Sequence, residues 1–251
     1  PLGTLNAPIA RLVGSGRFAT LTTLSLGDST TGASLEGKSL GSLNVTGDAL
    51  GDLRLSGEGV SGLVLGSVQV GGAIGGLWSI AGRANSINAQ TTANDWRANF
   101  SNPLTQLAVR GNASGQLATP ALQMLQVGGN LQRMTLYIGA NLGSDAALGG
   151  NGPAADHFGP GTLARLRVSG NIEDSQIFIG VDPRDGRFLD GDDQQLGSPS
   201  NRVQELLVGG QLKGDTHIVA PAFPASVRVN GVTLNPSSLA PLLTGTPPDL
   251  T

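Results

Sequence analysis

The sequence predicts an all-β fold, a single-stranded right-handed parallel β-helix with about 20 residues per coil and two polar loop insertions. Three observations predict it. Glycine fills 39 and proline 14 of the 251 positions. Interior Gly and Pro cost a helix roughly 1 and 3 kcal/mol relative to Ala, so long helices are disfavoured. Hydrophobic residues make up 39%, too many and too evenly spaced for a disordered Gly-rich chain. Finally, a short template of apolar residues and glycine recurs along the chain.

The template has apolar residues at positions 1, 4 and 6 and Gly at position 8. Its clearest copies are Leu122–Leu125–Val127 with Gly129, Leu163–Leu166–Val168 with Gly170, and Val203–Leu206–Val208 with Gly210. Weaker copies start at Leu21, Leu40, Leu65, Ala84, Leu104 and Pro224, and Asp28 and Thr91 replace the glycine in two of them. Successive starts lie 19, 25, 19, 20, 18, 41, 40 and 21 residues apart, so the two long steps read as two units or as one unit plus an insertion. Between Leu40 and Leu65 the register is ambiguous, because Leu50–Leu53–Leu55 and Val60–Leu63–Leu65 also fit.

Residues two apart point to one face of a strand, so positions 4 and 6 face a core. Gly at position 8 is expected to end the strand through φ values that other residues resist. A second strand follows, as in Met134–Leu136–Ile138 and Ile177–Ile179. One unit cannot bury its apolar face alone, whereas stacked units share a continuous core. Asn112, Asn130 and Asn171 follow the turn glycine and are expected to form an inward ladder. Residues 1–231 form this stack, interrupted at 142–162 and 183–202, and 232–251 form a Pro-rich tail that acts as a cap or a connector. Roughly 10–12 coils at about 4.8 Å each give a rod on the order of 50–60 Å long.

Charge excludes some function classes. The net charge is −3 and Lys38 and Lys213 are the only lysines, so no basic stripe exists to meet nucleic-acid phosphates. No apolar run is long enough to span a bilayer. Cysteine is absent and assigns no compartment. The sequence opens at Pro1 without a signal peptide and is expected to be a processed or excised piece of a longer polypeptide. Its Gly/Ser/Thr/Asn-rich, Lys-poor composition points to an extracellular or cell-surface location.

The units LQMLQVGGN, LARLRVSGN and VQELLVGGQ, with the run VSGNIEDSQIFIGVDPRDGRFLDGDD, resemble the β-strand repeats of secreted bacterial surface proteins. These are the filamentous-haemagglutinin-like adhesins and autotransporter passengers; residues 122–231 carry the likeness best, and 1–40 and 232–251 match poorly. The resemblance implies a right-handed parallel β-helix and a role in surface attachment or fibre formation.

Candidate chemistry lies in the insertions, which occupy equivalent places and should project from one side of the stack. The second holds Asp182, Asp185, Asp190, Asp192 and Asp193, hard-oxygen ligands suited to Ca²⁺. Their spacing departs from the EF-hand pattern, and a solvated turn offset by Arg184 and Arg187 is the simpler reading. In the first, Gly149–Gly150–Asn151–Gly152 opens like a calcium-binding nonapeptide, but Ala154 stands where a ligand is needed.

Catalysis has less support. His157 falls in a loop, and His217 is expected to face outward or end a strand. A polysaccharide lyase or glycosidase would have to draw on Asp182, Asp185 and Arg184, with Trp78, Trp96, Tyr137 and six Phe as the whole aromatic supply for stacking sugars. Trp96, in TTANDWRANF, reads as an exposed contact or a coil-end cap. Leu239, Leu242 and Leu243 in the tail are candidates for docking on a neighbouring copy. The expected function is therefore non-enzymatic. The chain is a surface scaffold, adhesin segment or filament subunit whose partners are further copies or a carbohydrate or cell-surface ligand.

Overall fold

The structure, a computed structural model, describes residues 2–198, 203–224, 227–234 and 249–250. It is all-β, and the chain passes alternately between two long sheets. The first sheet contains, in order, Leu2–Leu12, Thr20–Ser29, Ser39–Val45, Leu63–Val70, Arg83–Ala89, Leu104–Val109, Ala121–Val127, Thr162–Val168, Glu205–Val208 and Val227–Val229. Val232–Leu234 then folds back antiparallel on Val227–Val229. The second runs Ser15–Arg17, Ser34–Gly37, Asp52–Leu55, Leu77–Ile80, Arg97–Phe100, Ala113–Thr119, Leu131–Ile138, Gln176–Ile179 and His217–Val219, with Asp249–Leu250 antiparallel at its end. All other neighbours along these two paths pair in parallel.

The template copies stand in register. Leu2, Leu21, Leu40, Leu65, Ala84, Leu104, Leu122 and Leu163 pair in succession across the first sheet. Because Leu40 pairs directly with Leu65, Leu53 and Leu55 belong to the second sheet, which resolves the ambiguous stretch. Leu122 pairs directly with Leu163, so the long step is one unit plus an insertion. Leu2–Leu12 also joins this register, with Leu2, Leu5 and Ala7 on the apolar positions and Ile9 in place of the glycine, a copy beyond those recognised in the sequence.

Position 4 forms one inward row: Leu24, Leu43, Val68, Ile87, Leu107, Leu125, Leu166 and Leu206 are all at most 3% exposed. The facing row of the second sheet is Leu53, Trp78, Ala98, Leu117, Leu136, Ile177 and Ile218, equally buried. These side chains form one cluster along the stack, each large one contributing about 2 kcal/mol relative to exposure. The structure corrects the reading of Trp96 as an exposed contact, since it is 0% exposed. The turn closed by Trp96 N–H donating to Ala93 O swings its ring inward, where it meets Trp78 edge-on at 6.3 Å. Trp96 is the one large apolar group in a polar turn, and burial of its ring outweighs its neighbours' polarity.

The template glycines work differently from expectation. Gly47, Gly72, Gly111, Gly129, Gly170 and Gly210 do not have positive φ; only Gly231, at 73°, does. Their role is close approach. A Cβ on Gly170 would fall on Asn130 Oδ1 and lie 2.8 Å from Gly129 O. Gly47, Gly72, Gly129 and Gly210 meet Asp28, Asp48, Asn112 and Asn171 in the same way. Those side chains form a ladder: Asp48 N–H donates to Asp28 Oδ1 (3.0 Å), Ala73 N–H to Asp48 Oδ1 (2.8 Å), and Asn130 N–H to Asn112 Oδ1 (2.8 Å). Asn171 N–H and Gln211 N–H continue it onto Asn130 and Asn171, at 2.9 Å each. The ladder lies at the half-exposed corner after the first sheet rather than inward, and it joins side chain to backbone. Glycine precedes the amide because the amide below fills the space of its Cβ.

Candidate functional site

Both insertions leave the second sheet at equivalent points, after Ile138 and Ile179, which are paired partners. Gly139 and Gly180 follow, with φ of 101° and 63°, so glycine here supplies a left-handed turn. Each insertion returns as a short antiparallel strand: His157–Phe158 on Ala140–Asn141, and Gln194–Gln195 on Val181–Asp182. Neither projects freely. Both fold back over the outer face of the second sheet and bury a second apolar cluster around Tyr137 and Phe178, which includes Leu142, Leu148, Phe158, Phe188 and Leu189.

Phe188 is the centre of this cluster. Its ring stacks on Phe178 at 3.9 Å, tilts against Tyr137 at 5.3 Å, and meets Phe158 of the first insertion edge-on at 6.3 Å. Four of the chain's nine aromatic residues thus meet on this sheet face, two from the sheet and two from the insertions. Burial pushes the Tyr137 phenol up to about 12, with the nearby Asp156 charge adding to it.

Amide side chains that the sequence did not single out anchor the insertions. Asn99 is buried, donates to Asn141 Oδ1 (2.8 Å) and Gly143 O (2.6 Å), and accepts from Leu142 N–H (2.9 Å). Gln116 donates to Ala146 O, and Gln195 to Gly180 O. A lone Asn within RANFS looks like any strand residue, and its partners lie more than 40 positions away. The signal that could find it is its place in the outward row that runs on through Ala118, Tyr137 and Phe178.

The aspartates separate into groups. Asp185, Asp190 and Asp192 bring one carboxylate oxygen each within 4.8 Å of one another. A hydrogen bond with Asp190 is the main cause that raises the Asp192 carboxyl, and the Asp185 and Asp190 charges add to it. Asp182 instead turns to its own loop, where it accepts from Arg184 N–H at 2.9 Å. Asp193 Oδ2 accepts from Leu189 N–H at 2.7 Å, and burial raises its carboxyl. One oxygen on each of Asp190 and Asp193 is buried without a partner. Three clustered carboxylates suit a hard divalent cation, which needs further oxygens from backbone or water to reach 6–8 ligands.

His157 lies on the short return strand of the first insertion. His217 begins its strand with Nε2 2.8 Å from Asp215 Oδ1. Leu239, Leu242 and Leu243 lie outside the described residues. No helix among the described residues is long and apolar enough to cross a membrane. No protein-family model, curated protein or solved structure matches this chain.

Proposed function

We propose that the chain is a right-handed parallel β-solenoid that serves as an extracellular structural module, a rigid scaffold or adhesin segment that associates with further copies. One observation carries this reading. The described chain is committed almost throughout to two parallel sheets around a shared core, with successive repeats in register. Alternate passage of one chain between two parallel sheets is how a solenoid winds. Parallel crossovers are right-handed in about 98% of cases, which supports the hand. The weakly acidic, Lys-poor composition supports secretion and gives nucleic acid little to bind.

Electron microscopy of the purified chain, with its mass in solution, tests the reading. Rods of one coil cross-section that associate as concentration rises are expected. A monomer at every concentration that forms no filaments would remove self-assembly, leaving scaffold and adhesin. Turnover of a polysaccharide, lost in Asp182→Ala or Asp185→Ala, would replace the structural role with an enzymatic one.

The convergence of Asp185, Asp190 and Asp192 favours one addition, a calcium ion that steadies the second insertion. Calcium is expected to raise the melting temperature of the wild-type chain and to leave Asp190→Asn unchanged. An equal response in both chains would remove the site.

A further inference from the structure

The first insertion contains a half-buried carboxylate, one oxygen of which is fully shielded, that the structural role does not use. Asp156 stands immediately before the return strand His157–Phe158. Its Oδ2 accepts the Gly149 N–H at 2.6 Å and so closes the end of the loop. Its Oδ1 is buried and meets no donor among the described residues. The two ends of this latch carry Leu148 and Phe158, and both lie on the Tyr137–Phe178 cluster. Closing the latch therefore covers the aromatic face.

We propose that Asp156 is a proton-operated latch that holds the first insertion over the aromatic cluster more firmly as the pH falls. A carboxylate oxygen buried without a donor destabilises the closed loop whenever it is charged, and protonation removes that charge. The titratable groups that face Asp156 are Tyr137 from the second sheet, Asp145 from the start of the insertion, and His157 beside it. Burial raises the Asp156 carboxyl most, and the Asp145 charge raises it further; the Gly149 hydrogen bond and His157 act the other way without cancelling the rise.

The sign follows from linkage. A carboxyl whose value is raised in the closed state binds protons more tightly there than in the open state. Closure therefore strengthens as pH falls from neutral through the raised value, and weakens above it. The aromatic face is most readily uncovered near neutral pH, when Asp156 is charged.

Amide exchange of the full chain, corrected for intrinsic chemistry and measured in chelator from neutral to mildly acidic pH, tests this. Protection of residues 145–158 should rise severalfold on acidification, while the inward rows of the two sheets stay constant. Asp156→Asn, a neutral mimic, should show the acid level of protection already at neutral pH and lose the dependence. A loss of protection in Asp156→Asn at neutral pH would overturn the proposal, because the charge would then be needed as a cap. In the wild-type chain, direct titration of the Asp156 carboxyl by NMR at or below the ordinary aspartate value would also overturn it.

Discussion

Each repeat turns two main corners, and where glycine stands at them it serves different ends. At the corner after the first sheet, Gly129, Gly170 and Gly210 have ordinary φ but no room for a Cβ, because the amide of the preceding repeat occupies it. At the corner after the second sheet, Gly139 and Gly180 have positive φ, and two insertions leave from there. The first corner is closed by contact between repeats. The second combines a left-handed backbone with close approach of the insertion's own returning chain, Gly159 O at Gly139 and Leu196 O at Gly180, so extra chain emerges there without breaking the contact between repeats. Identical residues in a repeat thus do not imply identical constraints: steric exclusion resists any side chain, whereas a left-handed turn tolerates a long loop.

The largest test of this contrast is Gly170→Val. Its new atoms would fall on Asn130 Oδ1 and crowd Gly129 O, and overpacking of this kind costs about 3 kcal/mol. Urea denaturation should show that loss. A tolerated valine would mean that the first corner is not closed by contact between repeats. Phe188→Ala comes next, with about 2 kcal/mol lost for a half-buried ring. Its effect should be local, so exchange protection should fall over both insertions before the inward rows respond.

Asn130→Ala removes the acceptor of Asn171 N–H and should cost about 1 kcal/mol. It also empties the space that a residue 170 side chain would enter. Gly170→Ala should therefore cost less beside Asn130→Ala than alone. A double-mutant cycle that comes out additive would separate the ladder from the glycine requirement.

The smallest effect belongs to a position on neither corner. Glu205 is held below the ordinary glutamate range by its hydrogen bond with Arg167, whose Nε lies 2.6 Å away. A lowered carboxyl contributes stability above its unfolded value and loses it as pH falls through the folded one. On this exposed pair, Glu205→Gln should cost only a few tenths of a kcal/mol at neutral pH. That difference should vanish in acid, which a melting series in pH checks.

Much of the stack was legible because its core rows are simple. Leu122, Leu125 and Val127 repeat as Leu163, Leu166 and Val168, and burial selects for such spacing directly. The insertions were legible too, as polar interruptions at matching points. Their fold-back was not, since it depends on Phe188 turning back onto Phe178 of its own repeat and meeting Phe158 of the other insertion, and on Asn99 reaching Asn141. Neither contact has a local pattern. Trp96 misled because neighbouring polarity was read as exposure, and a tight turn can point one ring inward while its flanks face water. Composition offers five aspartates as one set, but only Asp185, Asp190 and Asp192 converge, because short-range backbone hydrogen bonds turn Asp182 and Asp193 onto their own loop.

The amide ladder also has a direction. In every rung the acceptor belongs to the earlier repeat and the donor is the backbone of the later one. A chain synthesised from its N-terminus therefore offers each emerging repeat an acceptor already fixed in place, and the newcomer needs only to bring its N–H. Growth in that sense is templated one rung at a time. Growth in the reverse sense would have to place the amide side chain and the backbone together. The ladder thus gives the stack a polarity that runs in the order of translation.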